Sequence, residues 1–338
     1  QPNAMGGREV GGLANQLTAH LDIENAEHRD YVQTYWQSPT MANATGKSAV
    51  AMFDAIECGE IKAVWIMATN PLVSLPDRDK IKRALTNCPL VVVSDCVANN
   101  DTLAFANIKL PATPWLEKNG TVTNSERCIS RQRSVQPALG EARHDWQIIV
   151  DVANAMGFSG FDYQHVSEVF TEFAGLTGVN QPSDRLFDIS GLADLSTKEY
   201  DNLSPMQWPI NQKHPNGCSR VFGNGEFSTE NKKAKMFAVE PKLAKLAPTK
   251  AFPFNLNSGR LRDHWHSMTR TSLAAELTQH TTKPYLYINA IELAALDILE
   301  NDIVAITSVC SGSEPVLVQV KLDNGLRKQQ CFMPIHWN

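Results

Sequence analysis

The most informative features of this 338-residue sequence are things it lacks. None of its seven cysteines stands in C-x-x-C spacing, so zinc and iron–sulfur ligation receive no support. No run approaches the roughly 20 apolar residues of a membrane-spanning helix, and the first residues lack the charged-then-apolar plan of a signal peptide. Scattered cysteines of odd number are typical of reduced thiols, so we expect a cytoplasmic protein.

Strong net charge and the usual glycine-rich phosphate loops are also missing. The formal charge of −5 argues against a general binder of nucleic acid or other polyanions. Neither G-x-G-x-x-G nor G-x-x-x-x-G-K-[S/T] occurs, so dinucleotide or triphosphate binding through those loops has no support. The composition, 43% hydrophobic and 20% charged, is that of an ordinary globular protein with room for two or three domains.

The densest polar stretch in the chain covers residues 257–271. It packs three arginines, two histidines, a tryptophan and several hydroxyl groups into fifteen residues. The apolar run before it, residues 251–256, predicts a strand, and no helical period continues through the stretch itself. Arginine forks and hydroxyl donors meet phosphate oxygens with charge-assisted hydrogen bonds. Gly259 would let the backbone approach such a ligand closely.

Two alternatives stand beside a phosphate site. A basic stretch can be a solvated surface loop, although Trp265 is costly to leave in water and favours a covered site. The His264-x-His266 spacing also suggests a metal site. This alternative has less support than a phosphate site, because no cysteine or third histidine stands nearby at ligand spacing.

The first half of the chain has the pattern of an open α/β sheet. Apolar residues at helical spacing, with Gly59 as a stop, precede a short apolar run that is typical of a strand buried on both faces. The plan then repeats, which predicts a parallel, doubly wound sheet. The predicted elements are helices at about 49–56 and 77–85 and strands at 63–68 and 90–93.

Polar side chains follow both predicted strands. Asn70 comes after the first strand, and Ser94 and Asp95 come after the second. Ligands of open α/β sheets bind beyond the carboxyl ends of the strands, where these residues would lie. Asp95 could accept hydrogen bonds from a guanine edge. The alternative is that Asn70 and Asp95 cap the helices that follow.

Residues 101–127 predict a short helix, a buried strand ending at Pro111 and a charged loop with an Asn119-Gly120 turn. By itself this loop is typical of a salt-bridged surface. Residues 143–157 predict an amphipathic helix that has Asp145 at its start, where a carboxylate stabilises the helix dipole. Its predicted apolar face carries Trp146, Ile149, Val150, Ala153 and Met156.

The remaining segments carry weaker patterns. The glycine-rich residues 1–12 predict a loop. Helices are expected at 165–174 and near residue 184, followed by long connecting loops up to residue 250. After the polar stretch, strands at 285–288, 302–307 and 315–322 with one short helix at 292–296 suggest a small β-barrel.

Several of these segments together resemble the molybdopterin-dependent oxidoreductases of the dimethyl sulfoxide reductase family, and most closely the assimilatory nitrate reductases. The segments are GREVGG at 7–12, TNP at 69–71, SD at 94–95, LPATPWLEKNGTVTNSER at 110–127 and GRLRDHWHSMTRT at 259–271. The resemblance covers most of the chain. It implies a partial doubly wound α/β domain over 1–160, a connector over 161–247 and a truncated double-psi β-barrel domain that binds molybdopterin dinucleotide over 248–338.

The same resemblance implies roles for single residues. Arg8 matches an arginine beside the metal that attracts the substrate oxyanion, with a solvated arginine as the alternative. No residue is expected to ligate the metal itself. The residues matched to contacts with a molybdenum-bearing bis-molybdopterin guanine dinucleotide are Gln1, Asn70, Ser94, Asp95, Lys118, Asp145, Ser258, Gly259, Arg260, Asp263, His264, Trp265, His266, Ser267, Met268 and Thr269.

The implied activity is reduction of nitrate to nitrite by oxygen-atom transfer. The electron donor would be ferredoxin, flavodoxin or an NADH-linked subunit. Enzymes of this type begin with a four-cysteine 4Fe–4S domain and carry a metal-ligating cysteine, and neither pattern is present here. We therefore expect a fragment that is inactive alone. A formate dehydrogenase alpha chain, which the GREVGG run disfavours, and a non-catalytic guanine-nucleotide-binding module are the alternative functions.

Overall fold

The computed structural model describes residues 3–179, 185–242, 246–265, 267–309 and 315–337. The helices, in chain order, are α1 (Ala4–Glu9), α2 (Ala26–Trp36), α3 (Ala49–Glu57), α4 (Pro71–Ser74), α5 (Arg78–Asn87), α6 (Asp145–Ala155), α7 (Val166–Gly178), α8 (Thr197–Asp201) and α9 (Ala290–Ala295). The strands are β1 (Ala63–Met67), β2 (Leu90–Asp95), β3 (Ile108–Pro111), β4 (Gly120–Thr123), β5 (Cys128–Gln132), β6 (Met206–Gln207), β7 (Asn255–Gly259), β8 (Tyr285–Ile288), β9 (Ile303–Ile306), β10 (Val316–Leu322) and β11 (Gln330–Pro334).

The chain folds as two compact units, each of which is built from three separate segments of the sequence. The first unit contains Gln1–Met67, Pro89–Cys96 and Asn107–Ala238. The second contains Ala68–Cys88, Val97–Ala106 and Val239–Asn338. None of the described helices combines the length and the apolar character needed to cross a membrane.

A three-stranded parallel sheet with the order β1-β2-β3 lies in the first unit, which confirms the predicted parallel pairing. Val91 and Val93 of β2 are fully buried because alternate side chains of a strand point to one face. The expectation that the first strand is buried on both faces is wrong, since burial in β1 alternates. The expected burial of the strand ending at Pro111 is also wrong, because β3 is an edge strand that is exposed along most of its length.

The two helices predicted in this part of the sequence are present. α3 ends just before Gly59, whose φ of +75° is the left-handed conformation that glycine adopts most easily. α5 begins at Arg78 because the Asp77 side chain accepts a hydrogen bond from the backbone N–H of Lys80. Phe53 is 2% exposed and anchors α3 in the core.

A second, antiparallel sheet in the first unit replaces most of the predicted charged loop. Its order is β4-β5-β6, and a large core cluster that includes Ile129 of β5 packs against it. The guanidinium of Arg131 lies 3.9 Å from the ring centroid of Tyr200 and donates to Asn119 Oδ1 at 2.6 Å. Arg127 donates to the backbone carbonyls of Trp208, Cys218 and Ser219. These arginines are therefore internal connectors and do not form a solvated, salt-bridged surface.

Two local predictions in this unit are wrong. The described part of the predicted loop at 1–12 is not a simple loop, because α1 forms in spite of its two glycines. It is held from outside: the Asn3 side chain accepts from the backbone N–H of Thr123 at 2.9 Å. Asn119-Gly120 does not form a turn, because Gly120 begins β4 and the chain reverses further on, where Arg127 has a φ of +68°.

The helix predicted at 143–157 is confirmed as α6, followed by Gly157 at a φ of +81°. Its buried face differs from the predicted one. Ile148 and Ala153 are buried, whereas Ile149 and Met156 are exposed, so the apolar stripe is rotated from the expected position. The helix predicted at 165–174 is α7, and the one expected near residue 184 falls outside the described residues.

In the second unit a mixed five-stranded sheet has the order β7-β11-β8-β10-β9. β8, β9 and β10 confirm the three predicted strands, and α9 confirms the predicted helix. The strand expected at 251–256 is displaced, since β7 covers residues 255–259. Pro253 lacks the N–H that a sheet ladder needs, and the polar residues after it pair in parallel with β11. The sequence pattern did not indicate β11 as a strand.

We expect Phe53→Ala to lower the free energy of unfolding of the chain by about 3–5 kcal/mol, because it removes a fully packed aromatic side chain. Urea denaturation followed by circular dichroism measures the change. Phe237→Ala is the matched control, since Phe237 is 77% exposed and its truncation should change stability by less than about 0.5 kcal/mol. Equal losses for both variants would contradict the packing described for α3.

Candidate functional site

The carboxyl edge of the parallel sheet in the first unit gathers several predicted site residues. The backbone N–H of Ala112, just after β3, donates to the carbonyl of Asp95 at the end of β2 at 3.0 Å. The next residue, Thr113, donates its N–H to the carbonyl of Arg143 at 3.0 Å. These two bonds bring the start of α6, with Asp145 as its first residue, to the strand ends. This is the edge at which open α/β sheets bind ligands.

Lys118 and Asp145, both predicted cofactor residues, form an ion pair at this edge. Their side chains are 28% and 31% exposed, so the pair is partly shielded and still open to a ligand. His144 is the N-cap of α6, and its backbone N–H donates to the side-chain oxygen of Gln147 at 3.3 Å. The carboxylate of Asp145 is therefore turned to Lys118 and does not cap the helix.

The environment of His144 combines burial with charges of both signs. Burial lowers the pKa of the His144 imidazole and the positive charge of Lys118 lowers it further, while the carboxylates of Asp145 and Glu117 oppose the shift. The ring nitrogen Nδ1 lies 3.1 Å from the hydroxyl of Thr113. The edge therefore offers both charged and neutral polar groups to a ligand.

Ser94 and Asp95 lie at the same edge but are turned inward. Ser94 is fully buried, and its Oγ accepts a hydrogen bond from the indole of Trp65 at 2.8 Å. Asp95 is 9% exposed, and its Oδ1 accepts from the N–H of Cys96 at 2.6 Å. Their contact with a nucleotide stays a prediction.

In the second unit, one hydrogen bond joins two segments that are far apart in sequence. The amide Nδ2 of Asn70 donates to the hydroxyl of Thr269 at 3.2 Å. Its Oδ1 accepts from Thr102 at 2.7 Å, and Nδ2 lies 3.4 Å from Asp101. Asn70 occupies the N-cap position of α4 but makes no capping bond, so the capping alternative for it is wrong. The TNP turn and the arginine–histidine stretch thus meet through a buried amide.

The stretch from 257 to 271 starts as part of β7 and then folds back on itself. The Nδ1 of His264 lies 3.1 Å from the hydroxyl of Thr271, which also accepts from the backbone N–H of Trp265. Met268 has a φ of +55° and donates its N–H to the carbonyl of Trp265 at 2.9 Å. At its base, the N–H of Leu261 donates to Nε2 of His336 at 3.0 Å. The loop is therefore preorganised by its own bonds.

Several side chains of this loop remain available at its surface. Trp265 is 40% exposed, so the expectation that the protein covers it is wrong. Ser258 and Arg260 are exposed as well, and Gly259 lies against the ring of Phe332.

The charges of the loop are partly paired within the protein. Arg262 donates to both carboxylate oxygens of Asp263, at 2.9 and 3.2 Å, and His280 lies 3.0 Å from the same carboxylate. The bond from Arg262 holds the pKa of Asp263 below its usual range. Ser267 shares a hydrogen bond of 2.9 Å with Thr269.

His264 carries a buried polar atom that the described residues do not satisfy. The residue is 4% exposed, and its Nε2 has no hydrogen-bond partner among them. Its ring lies edge-on to those of His336 and Trp337, at 5.5 and 6.0 Å. Buried ring nitrogens are almost always hydrogen-bonded, so this atom fits a polar group of a bound ligand. Within the described ranges, no three His, Cys, Asp or Glu side chains are grouped as a metal site.

Arg8 lies at the exposed end of α1, and its neighbour fixes that helix. Glu9 is 3% exposed, and it accepts from Trp208 Nε1 at 2.6 Å and from the hydroxyl of Thr123 at 2.8 Å. Burial raises the pKa of the Glu9 carboxyl. Glu9 is therefore fixed by buried hydrogen bonds, whereas the guanidinium of the neighbouring Arg8 faces solvent.

Two predicted residues, Gln1 and His266, fall outside the described residues. Sequence reasoning missed the contributions of Thr102, Thr271 and His336. The first two are hydroxyl residues in ordinary polar surroundings, which single sequences do not distinguish. His336, in the IHW triplet near the last residues, repeats the His–Trp pairing of the loop that it supports, and that repetition is a readable signal.

Comparison with known proteins identifies two families in the chain. Residues 3–155 match the molybdopterin oxidoreductase family, and residues 254–338 match the molydopterin dinucleotide binding domain. The chain is 44% identical to a nitrate reductase from Klebsiella oxytoca, with the match covering 100% of this chain and 38% of that protein. It is 32% identical to the assimilatory nitrate reductase catalytic subunit of Bacillus subtilis, covering 100% of this chain and 46% of that one.

Two further relatives widen the comparison. The F420-dependent formate dehydrogenase subunit alpha of Methanocaldococcus jannaschii is 29% identical, covering 100% of this chain and 47% of that protein. The solved structure of acetylene hydratase from Pelobacter acetylenicus is similar in fold, with a TM-score of 0.65 and 15% identity over 98% of this chain and 43% of that one. The chain spans less than half the length of each of these relatives.

Asn70→Ala should loosen the 257–271 loop, because it leaves the buried Thr102 hydroxyl and that of Thr269 without this partner. A loss of about 1–3 kcal/mol corresponds to amide exchange that is about 5- to 150-fold faster at Met268 and Leu273, measured by hydrogen–deuterium exchange. Asn87→Ala, an exposed asparagine of the same unit, is the control and should leave these amides unchanged. Unaltered exchange in Asn70→Ala would show that the amide does not hold the loop.

Proposed function

Because this chain belongs to the molybdopterin oxidoreductase family, we propose that it holds part of a bis-molybdopterin guanine dinucleotide cofactor in an enzyme that reduces nitrate to nitrite. The observation that carries the proposal is the hydrogen bond from Asn70 to Thr269. It joins two segments, the TNP turn and the arginine–histidine loop, that the resemblance assigns separately to the cofactor. The orphaned Nε2 of His264 supports it, since a polar cofactor group would satisfy that atom.

The residues of this chain would divide the binding work by chemistry. Lys118 and Asp145, with Ser94 and Asp95 at the sheet edge, would bind one nucleotide. Donors of the 257–271 loop, the exposed Arg260 and the half-buried hydroxyls of Ser267 and Thr269, would bind pterin and pyrophosphate groups. Gly259 and Trp265 would line the approach, and Asp263 would hold Arg262 in place. Gln1, His264, His266 and Met268 complete the set that the resemblance assigns.

We also propose domain boundaries and a fold for the second unit on the basis of the same resemblance. We place the α/β domain at 1–160, the connector at 161–247 and the dinucleotide-binding domain at 248–338. The mixed five-stranded sheet of the second unit would be the larger part of a double-psi β-barrel.

The proposed reaction takes nitrate, two electrons and two protons to nitrite and water. When bound, the molybdenum cofactor supplies the oxygen-atom transfer and the electrons. The contribution of this chain is electrostatic: the exposed guanidinium of Arg8, fixed through buried Glu9, would attract nitrate and stabilise negative charge that develops during the reaction. This chain would therefore position the cofactor and stabilise the charge of the substrate.

Other parts of the proposal concern the whole enzyme. The metal-ligating cysteine and a 4Fe–4S cluster would come from residues outside this chain, because none of its cysteines has the required spacing. The chain alone would then not turn over nitrate. We propose a cytoplasmic enzyme of nitrate assimilation that receives electrons from ferredoxin, flavodoxin or an NADH-linked subunit.

A formate dehydrogenase is the second candidate. It is favoured by the 29% identity to the formate dehydrogenase alpha subunit over the whole chain. Assays of the complete enzyme with a viologen dye distinguish the two: nitrate-dependent oxidation of the reduced dye supports the first proposal, and formate-dependent reduction of the oxidised dye supports the second. Tight binding of GMP or GDP without any pterin-dependent effect would support a non-catalytic guanine-nucleotide-binding module.

Arg8→Gln in the complete enzyme should lower kcat/KM for nitrate about 100- to 1,000-fold, since it removes a charged donor from the oxyanion. Reduced-viologen oxidation measures the rate. Arg220→Gln, an exposed arginine of the same unit, should retain activity within about twofold. Normal kcat/KM in Arg8→Gln would remove Arg8 from the mechanism.

Lys118→Met should reduce cofactor occupancy, because it leaves the Asp145 carboxylate uncompensated beside a nucleotide that carries phosphates. Purified enzyme is denatured, and the released guanine nucleotide and molybdenum are quantified by chromatography and elemental mass spectrometry. We expect a loss of about tenfold in affinity, equivalent to about 1.4 kcal/mol. Lys109→Met on the exposed edge strand is the control, and equal occupancy in the two variants would reject the role of Lys118.

A further inference from the structure

A carboxylate that the proposed function does not use contacts the amide that anchors the arginine–histidine loop. Asp101 precedes the short 3₁₀ helix Thr102–Phe105, but among the described residues its side chain makes no capping bond to that helix. One of its carboxylate oxygens lies 3.3 Å from the guanidinium of Arg78. The other accepts a hydrogen bond from Nδ2 of Asn70 at 3.4 Å. The carboxylate is therefore directed to an ion pair and to the anchoring amide.

Two adjacent residues fix the orientation of the Asn70 amide. An ionised carboxylate can only accept hydrogen bonds, so Asp101 requires the nitrogen of the amide on its side. The hydroxyl of Thr102 accepts from the N–H of Leu72 at 3.3 Å and donates to Oδ1 of Asn70 at 2.7 Å. Thr102 is fully buried, so in a reversed amide its hydroxyl proton would lose its acceptor. Both neighbours thus favour the same orientation.

The orientation of this amide determines what two hydroxyl groups of the loop can offer a ligand. The Nδ2 group of Asn70 also donates to the Thr269 hydroxyl oxygen, at 3.2 Å. Thr269 and Ser267 share one hydrogen bond of 2.9 Å, in which either hydroxyl can be the donor. The two hydroxyls carry two protons, and their shared bond uses one. Within the part of the chain that the structure describes, the other proton has no acceptor, so the pair presents a hydrogen-bond donor.

A reversed amide would give the opposite polarity. Its oxygen would accept the Thr269 proton, Ser267 would donate to Thr269, and the pair would present only lone pairs to a ligand. Both hydroxyl residues are half-buried, so a ligand can reach them. A donor at this place matches the oxygens of a phosphate group, which only accept when they are ionised, and does not match an amino group.

We propose that Asp101 is a positioning residue that, together with Thr102, orients the Asn70 amide so that the Ser267–Thr269 hydroxyl pair donates a hydrogen bond to a phosphate oxygen of the cofactor. The inference rests on the proposed function and deepens it. It assigns the hydroxyl pair to an acceptor group of the cofactor, and it names the carboxylate that sets the polarity of the pair. Asp101 acts through the amide and does not itself touch the cofactor.

The test measures how fast the complete enzyme loses its cofactor. Purified enzyme is incubated at constant temperature and gel-filtered at intervals, and the guanine nucleotide and molybdenum that remain bound are quantified. Asp101→Asn keeps the shape of the side chain but adds a donor, so the Asn70 amide can reverse. We expect cofactor loss to become about 3- to 10-fold faster, which corresponds to the loss of one hydrogen bond.

The matched control removes the ion pair and keeps the carboxylate. Arg78→Gln abolishes the contact of Arg78 with Asp101 but leaves the acceptor that orients Asn70. Because the pair is exposed on both sides, this variant should change the rate of cofactor loss by less than about twofold. An effect of Arg78→Gln as large as that of Asp101→Asn would assign the result to the ion pair and overturn the proposal.

A double-mutant cycle separates positioning from general destabilisation. Thr269→Val removes the hydroxyl through which Asp101 acts, so adding Asp101→Asn to that variant should change the rate by less than about twofold. Circular dichroism checks that each variant is folded. An effect of Asp101→Asn that is equally large with and without the Thr269 hydroxyl would overturn the proposal.

The same measurements separate this inference from the proposed function. If the purified complete enzyme holds neither guanine nucleotide nor molybdenum, the proposed function itself fails. If it holds both and Asp101→Asn loses them at the wild-type rate, only the role of Asp101 is rejected.

Discussion

The second unit depends on the burial of one carboxamide. Asn70 is 5% exposed, and its oxygen and nitrogen are engaged by side chains from two other segments, at residues 101–102 and at Thr269. A buried amide without partners costs several kcal/mol, so each of these segments must be in place for the others to be stable. Hydrogen bonds within the arginine–histidine loop preorganise it, and the amide of Asn70 anchors it from outside at Thr269. The position of the binding loop therefore depends on a residue outside it.

The first unit, in contrast, keeps an ion pair partly exposed to solvent. The pair of Lys118 and Asp145 is roughly 30% exposed on both sides. An ion pair of this kind contributes at most about 1 kcal/mol to stability. Because the pair lies at the carboxyl ends of parallel strands, we interpret it as preorganised charge for a ligand. Its contribution to the stability of the fold is small. The side chain of Arg131, by contrast, is almost fully buried and donates to backbone, amide, phenol and carboxylate oxygens, which is the arrangement of a structural arginine.

The α/β portion could be predicted from the sequence because its signals are local. Apolar spacing in α3 and α5, the valine run of β2 and the glycine after α6 each indicate structure within a few residues. The elements that were missed depend on distant partners. α1 contains two glycines and forms because Glu9 and Asn3 are bound by residues more than a hundred positions away. β7 is polar, and its pairing with β11 cannot be read from either segment alone.

More residues of the candidate site were predicted from the family motifs than from apolar spacing and charge. The motifs did not predict the hydrogen bonds that hold those residues in place. The TNP and HWH-like segments were identified separately, and their junction through Thr269 emerged only in three dimensions. The Arg127 side chain shows one more consequence of such distant partnerships. It ties a hairpin to carbonyls as far as 92 residues along the chain, a span whose ends meet slowly during folding because closing so large a loop is entropically costly. The same guanidinium lies 5.2 Å from the ring centroid of Trp208, so one side chain joins the hairpin to both a main-chain segment and an aromatic ring.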